Sequence, residues 1–72
     1  MNSDRPDPFH AAREALRRAL EKAGSGAALA REIGVTRAAV CQWDRVPVER
    51  CAAVERATGI PRGELRPDVF GE

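Results

Sequence analysis

Apolar residues recur along this chain at three- and four-residue spacings, the period of an amphipathic helix. The first stripe runs through Phe9, Ala12, Leu16, Ala19, Leu20 and Ala23, with His10, Glu14, Arg17, Arg18 and Glu21 turned away. Asp7-Pro8 starts that helix, an N-cap acid before a proline whose missing N–H is not needed there, and Gly24 closes it. Ser25 is placed to cap a second helix over 26–33, which buries Leu29, Ala30 and Ile33. Gly34 then stops the chain's rise, because glycine takes the left-handed conformation that a helix C-terminus often needs. Val35 follows as a buried staple, and Thr36 is a ready N-cap for a third helix over 37–44. In that helix Ala39, Val40 and Trp43 share one face, with Thr36 at its edge. At about 100° per residue, Arg37, Ala38, Cys41, Gln42 and Arg45 fall on the opposite side. One face buries and the other is left free, which is the logic of a helix-turn-helix whose second helix enters a DNA major groove.

The remainder is helical too. Val46 precedes Pro47 and is pushed out of helical geometry, so a break is expected there. Pro47 suits the first turn of a fourth helix ending near Thr58-Gly59, with Val48, Cys51, Ala52 and Val54 on one stripe. Glu55 falls inside that stripe; a nearby base or backbone donors can satisfy it, and Arg13, flanking the apolar face of the first helix, is the expected partner. Ile60-Pro61 makes another extended break, Arg62 to Leu65 a single helical turn, and Arg66-Pro67-Asp68 its end. Val69 and Phe70 are left as apolar residues on a polar tail, to fold back on the core or dock on a second copy of the chain. Residues 1–6 lack periodicity and read as a disordered tail, with one domain over 7–70.

A chain of 72 residues has room for one domain. Such a domain buries roughly 60% of its unfolded surface and cannot easily enclose a deep substrate cleft. No apolar run approaches the roughly 20 residues that span a bilayer, and MNSDRPDPFH lacks the apolar core of a signal peptide. A cytoplasmic, nucleoid-associated protein without a membrane partner is the expectation. There Cys41 and Cys51 stay reduced, and together with the lone His10 they do not approach zinc-site spacing, so neither metal nor cofactor is expected. With no carboxylate or nucleophile grouped around that histidine, no enzyme is expected either.

The net charge of +1 is low for a nucleic-acid binder. Residues 1–24 carry five bases and four acids, 25–46 three and two, and 47–72 four and five. The basic charge therefore lies in the first two thirds, which is in keeping with a DNA face on one side and a protein-contact or solvated face on the other. Gln42 and Arg37 are the candidate base readers, since glutamine matches the two hydrogen-bonding positions of adenine and arginine those of guanine. Thr36 is a cap first and a phosphate contact second, and Arg45 either binds phosphate or solvates the helix end. Trp43 reads as core rather than as a stacking platform, and Cys41 as a small side chain rather than a redox switch, because no base or second thiol adjoins it. Arg17 and Arg18 are open to two readings, phosphate contact or pairing with the interleaved acids.

The run ALAREIGVTRAAVCQW, followed by RVPVERCAAVERATG and the ending LRPDVF, resembles the Cro-like, YdaS-type helix-turn-helix proteins. These are small bacterial and prophage regulators, some described as antitoxins. The resemblance covers about residues 16–70 and implies an all-α, four- to five-helix, lambda-repressor-like domain that binds double-stranded DNA as a homodimer or higher homo-oligomer. It implies that Ala30 allows the helices to cross, that Gly34 makes the turn, and that Val40 and Trp43 lie in the core. Thr36, Arg37, Ala38, Cys41 and Gln42 would then face DNA. The chain departs from its relatives at Gly26, where glutamine is common, at Ala38, at Cys41 and in the added charge of Asp44. The function so implied is a sequence-specific transcription regulator of repressor type. The alternative is an antitoxin or antirepressor acting mainly on a protein partner such as a toxin.

Overall fold

The other helices gather along one side of α1 (Pro8–Ala23), which packs against four of them. The computed structural model describes the backbone of residues 8–70 and the side chains of residues 10–70. The tail expected over 1–6, the Asp7 cap and the Phe9 side chain lie outside the described residues. Ala12, Ala15 and Ala19 are fully buried on α1, whereas Arg13, Arg17 and Arg18 are exposed, as the apolar stripe requires. Small side chains at these positions let neighbouring helices approach closely. All described elements are helical.

Local chemistry sets the next two helices. α2 (Gly26–Ile33) is capped by Ser25, whose Oγ accepts from the Ala28 N–H at 3.0 Å. Gly34 has φ 81°, a left-handed conformation, and the N–H groups of Gly34 and Val35 both donate to the Ala30 carbonyl, at 2.9 and 3.0 Å. α3 (Arg37–Cys41) begins where Thr36 Oγ1 accepts from the Ala39 N–H at 3.1 Å. It ends three residues before the expected Asp44. The Gln42 N–H is shared among the carbonyls of Ala38, Ala39 and Val40, and the Trp43 N–H donates to Val40 at 3.1 Å, so the last turn tightens and stops. Trp43 packs across the core and Val46 is fully buried next to Pro47, and a helix continued through 44 would not carry the chain inward to that point.

The expected fourth helix is two elements. A 3₁₀ turn, Val48–Arg50, precedes α4 (Cys51–Thr58). The tighter winding turns Val48 out of register, so Cys51 and Val54 are fully buried while Val48 and Ala52 are exposed. Glu55 pairs with Arg62 at 3.2 Å, not with Arg13. The reason is chain proximity: α5 (Arg62–Leu65) packs on α4 directly after the Ile60-Pro61 break. The last described element is α6 (Pro67–Phe70), against α1 and α5. Val69 and Phe70 do not fold into the core. Both stay exposed, and the Phe70 ring lies 5.7 Å from the Arg62 guanidinium carbon, a cation–π contact.

Two buried clusters result. Ala15, Leu16, Ala19, Val46, Cys51, Val54, Ile60 and Leu65 form the larger, and Leu29, Ala30 and Val40 the smaller. Leu20, Ile33 and Trp43 pack against both, and so join the α2–α3 unit to the body of the domain.

Candidate nucleic-acid interface

α3 is held from behind and open in front. Val40 is buried in the smaller cluster, Ala39 is half-buried, and Thr36, Arg37, Ala38, Cys41 and Gln42 are exposed. Arg37, Ala38, Cys41 and Gln42 together line one shallow, open depression. Among the described residues, neither the Arg37 guanidinium nor the Gln42 side-chain amide has a hydrogen-bond or ion-pair partner within the fold. Their donors and acceptors are therefore available to a ligand, and the cost of desolvating them is recovered only by a polar one. Thr36 stands at the start of this surface, its oxygen engaged as the cap of α3, which leaves the hydroxyl proton free for one further acceptor.

Arg45 stands apart from the other five candidates. It is half-buried in the non-helical segment after α3 and does not line the depression. Its charge contributes to lowering the pKa of the Asp68 carboxyl on α6. The expected opposite-face position assumed a helix through 44; the early end of α3 removes that register and turns Arg45 toward the C-terminal elements.

The residue missed in the sequence is Arg66. It is buried, with Nε and Nη2 donating to Asp68 Oδ1 and Oδ2 at 2.9 and 2.8 Å, and Nη1 donating to the Val46 carbonyl at 3.0 Å. This fork raises the pKa of Arg66 and holds the Asp68 carboxyl below its ordinary value. The signal in the sequence is the acid two residues on, behind a proline that starts α6.

Two of the basic residues of α1, Arg17 and Arg18, are committed to ion pairs. Arg17 bonds Glu14 at 2.8 Å and Glu21 at 3.5 Å, and its hydrogen bond keeps the Glu14 carboxyl below the usual carboxylate range. Arg18 reaches Glu64 of α5 at 3.3 Å. Of the cysteines, Cys41 is exposed on the α3 face, whereas Cys51 is buried, its Sγ 3.4 Å from the Pro47 carbonyl oxygen, and burial pushes its thiol pKa up. No group of three or more His, Cys, Asp or Glu among the described residues is placed to hold a metal ion. No described helix is long and apolar enough to cross a membrane.

Residues 16–72 match a family model described as bacterial toxin YdaS. The chain belongs to that YdaS family. A relative named as the transcriptional regulator YdaS of Escherichia coli (strain K12) is 46% identical over 55 residues, covering 64% of this chain. The chain spans about half the length of that relative, 53% of it. Among solved structures, the Cro protein from a prophage element of Xylella fastidiosa strain Ann-1 matches with a TM-score of 0.75 and 46% identity, covering 81% of this chain and 97% of that one. The helix-turn-helix fold is thus that of a Cro-like protein. The family takes its name from a toxin, whereas these two relatives carry the names of a regulator and of a Cro protein.

Proposed function

We propose that this protein is a sequence-specific DNA-binding transcription regulator, a repressor of Cro type, in which α3 reads the major groove. Residues 7–70 form the binding domain. The observation that carries this reading is the exposed α3 face: Arg37 and Gln42, the two side chains with base-reading chemistry, line one open surface without a partner inside the fold. Thr36, Ala38 and Cys41 complete that surface. Arg45, being half-buried near Asp68, contributes a backbone phosphate contact at its margin. The names of the Escherichia coli and Xylella fastidiosa relatives support regulation rather than catalysis.

A five-residue helix reads few base pairs. A homodimer with twofold half-sites about 34–36 Å apart doubles the contact and fits a chain whose net charge is +1. The test is binding to a fluorescent duplex of the gene's own upstream region and to a scrambled duplex, at low and physiological salt. Preference for the upstream duplex that survives the salt increase supports the reading. Binding to both duplexes that vanishes with salt leaves only phosphate attraction and overturns sequence specificity.

A second reading follows from a separate observation. Val48, Val69 and Phe70 are exposed, and residues 47–72 carry five acids against four bases. These features favour a protein partner on the C-terminal third, in an antitoxin or antirepressor, and the toxin in the family's name is in keeping with such a module. Absence of binding to either duplex, with a partner retained on the immobilised protein, would favour it.

A further inference from the structure

We propose that Arg66 and Asp68 are positioning residues for the DNA-reading surface, so that α6 sets how the end of α3 and the segment 42–46 are presented. The inference rests on the DNA-binding reading above. Three observations converge on it. Each of the three guanidinium nitrogens of Arg66 donates a hydrogen bond: Nε and Nη2 to the Asp68 carboxylate, and Nη1 to the Val46 carbonyl, twenty residues earlier in the chain. That carbonyl ends the segment through which α3 re-enters the core, and the next one, on Pro47, accepts from the buried Cys51 thiol at 3.4 Å. Finally, the Val46 carbonyl belongs to the Val46–Pro47 peptide, one residue beyond Arg45, so the fork anchors the chain immediately after Arg45.

The helix that needs this anchor is α3. It has five residues and stops in a tightened turn, so its own hydrogen bonds do not hold Gln42 and Arg45 rigidly. The anchor has to come from outside the helix, and a buried bidentate arginine is the stiffest one available. Asp68 also feels the charge of Arg45. Its carboxylate therefore keeps one arginine locked and lies within Coulombic reach of a second, which a DNA phosphate would also attract. Losing that carboxylate loosens the Val46 anchor and releases Arg45 together. A loosened reading surface binds any duplex by charge and discriminates less.

The experiment compares the full chain with Asp68→Asn and Arg66→Lys. Helix content and cooperative unfolding establish that each variant is folded, and Asp68→Asn is the milder change should Arg66→Lys fail to fold. Two readouts are taken: the ratio of affinities for the upstream and scrambled duplexes, and the amide resonances and hydrogen exchange of residues 42–46. The expected result is a ratio lowered about five- to tenfold with affinity for the scrambled duplex unchanged or raised, and faster exchange at residues 42–46. A purely structural role would lower both affinities together and leave the ratio intact, which would overturn the proposal. Unchanged amide signals at 42–46 in a folded variant would also overturn it. If the unaltered protein shows no duplex preference, the DNA-binding reading fails, and the amide readout alone decides whether the fork positions this segment.

Discussion

The buried hydroxyl of Thr58 joins α4 to Ile60: its Oγ1 donates to the Val54 carbonyl at 2.7 Å and accepts from the Ile60 N–H at 3.2 Å. A single side chain thus satisfies a helix carbonyl and the backbone donor that follows Gly59, in a place closed to water. This contact holds the Ile60-Pro61 break at the angle that lays α5 against α1 and α4.

Thr58→Val keeps the shape and removes both bonds, leaving the Ile60 N–H buried without an acceptor. The expected loss is about 1–3 kcal/mol, the cost of an orphaned buried donor. For a domain of this size that corresponds to roughly 4–8 °C of melting temperature per kcal/mol. Thermal and urea unfolding followed by circular dichroism measure it. A midpoint unchanged from the parent would mean that the segment relaxes and finds another acceptor.

Thr36 caps a helix too short to stand alone, so its contribution to α3 is large relative to the helix's other bonds. Thr36→Ala should destabilise the domain by about 0.5–2 kcal/mol, and Thr36→Ser, which keeps the oxygen, by much less. Urea midpoints of the three proteins decide it. Equal midpoints for the alanine and serine variants would show that the Ala39 N–H finds water at no cost.

Much of this architecture was legible because its signals are local. Ser25, Gly34 and Thr36 each act on backbone groups within a few residues, and the bounds of α2 and the start of α3 follow from them. The α1 stripe was legible for the same reason. What failed depended on parts of the chain distant in sequence or on a change of winding. The end of α3 is set by the inward path to Val46, the orientation of Val48 by a 3₁₀ turn, and the partner of Glu55 by the docking of α5. Arg66 read only as part of the Arg66-Pro67-Asp68 stop, because the acid two residues on offers a partner but does not announce that the arginine will be buried. On the candidate interface, the outward placement of Arg37, Ala38, Cys41 and Gln42 was legible from helical period, while the placement of Arg45 near Asp68 was not.

The Arg66–Asp68 fork makes stability depend on pH in a definite direction. The folded state holds the Asp68 carboxyl below its ordinary value, chiefly through the Arg66 hydrogen bonds. A lowered folded pKa means that this stabilisation is fully present above the unfolded value of about 3.9 and is lost as pH falls through the folded one. Glu14, lowered by Arg17, shifts in the same sense but lies within one exposed helix. The melting temperature of Asp68→Asn should therefore lie below that of the parent at neutral pH, with the gap closing as the pH drops below about 4. Melting curves from neutral to acid pH measure it, and a gap of constant size would mean that the asparagine acts through shape rather than charge.

Arg37 and Gln42 test the proposed reading surface. Both are exposed, neither side chain has a partner within the fold, and truncating either removes no packing from the two core clusters. Arg37→Ala and Gln42→Ala should leave the unfolding midpoint within experimental spread of the parent while each weakens binding to the upstream duplex by about 1–3 kcal/mol, the worth of a good base contact. The two losses carry different salt signatures. If Arg37 binds a base edge, its variant keeps the parent's salt slope; if it binds a phosphate, the slope falls by about one and the scrambled duplex loses affinity as well. Gln42 is uncharged, so its variant should keep the slope in either case. Titrations of both variants on both duplexes at three salt concentrations separate these outcomes. Unaltered affinity in both variants would remove α3 as the reading element and move the search to the exposed apolar residues Val69 and Phe70.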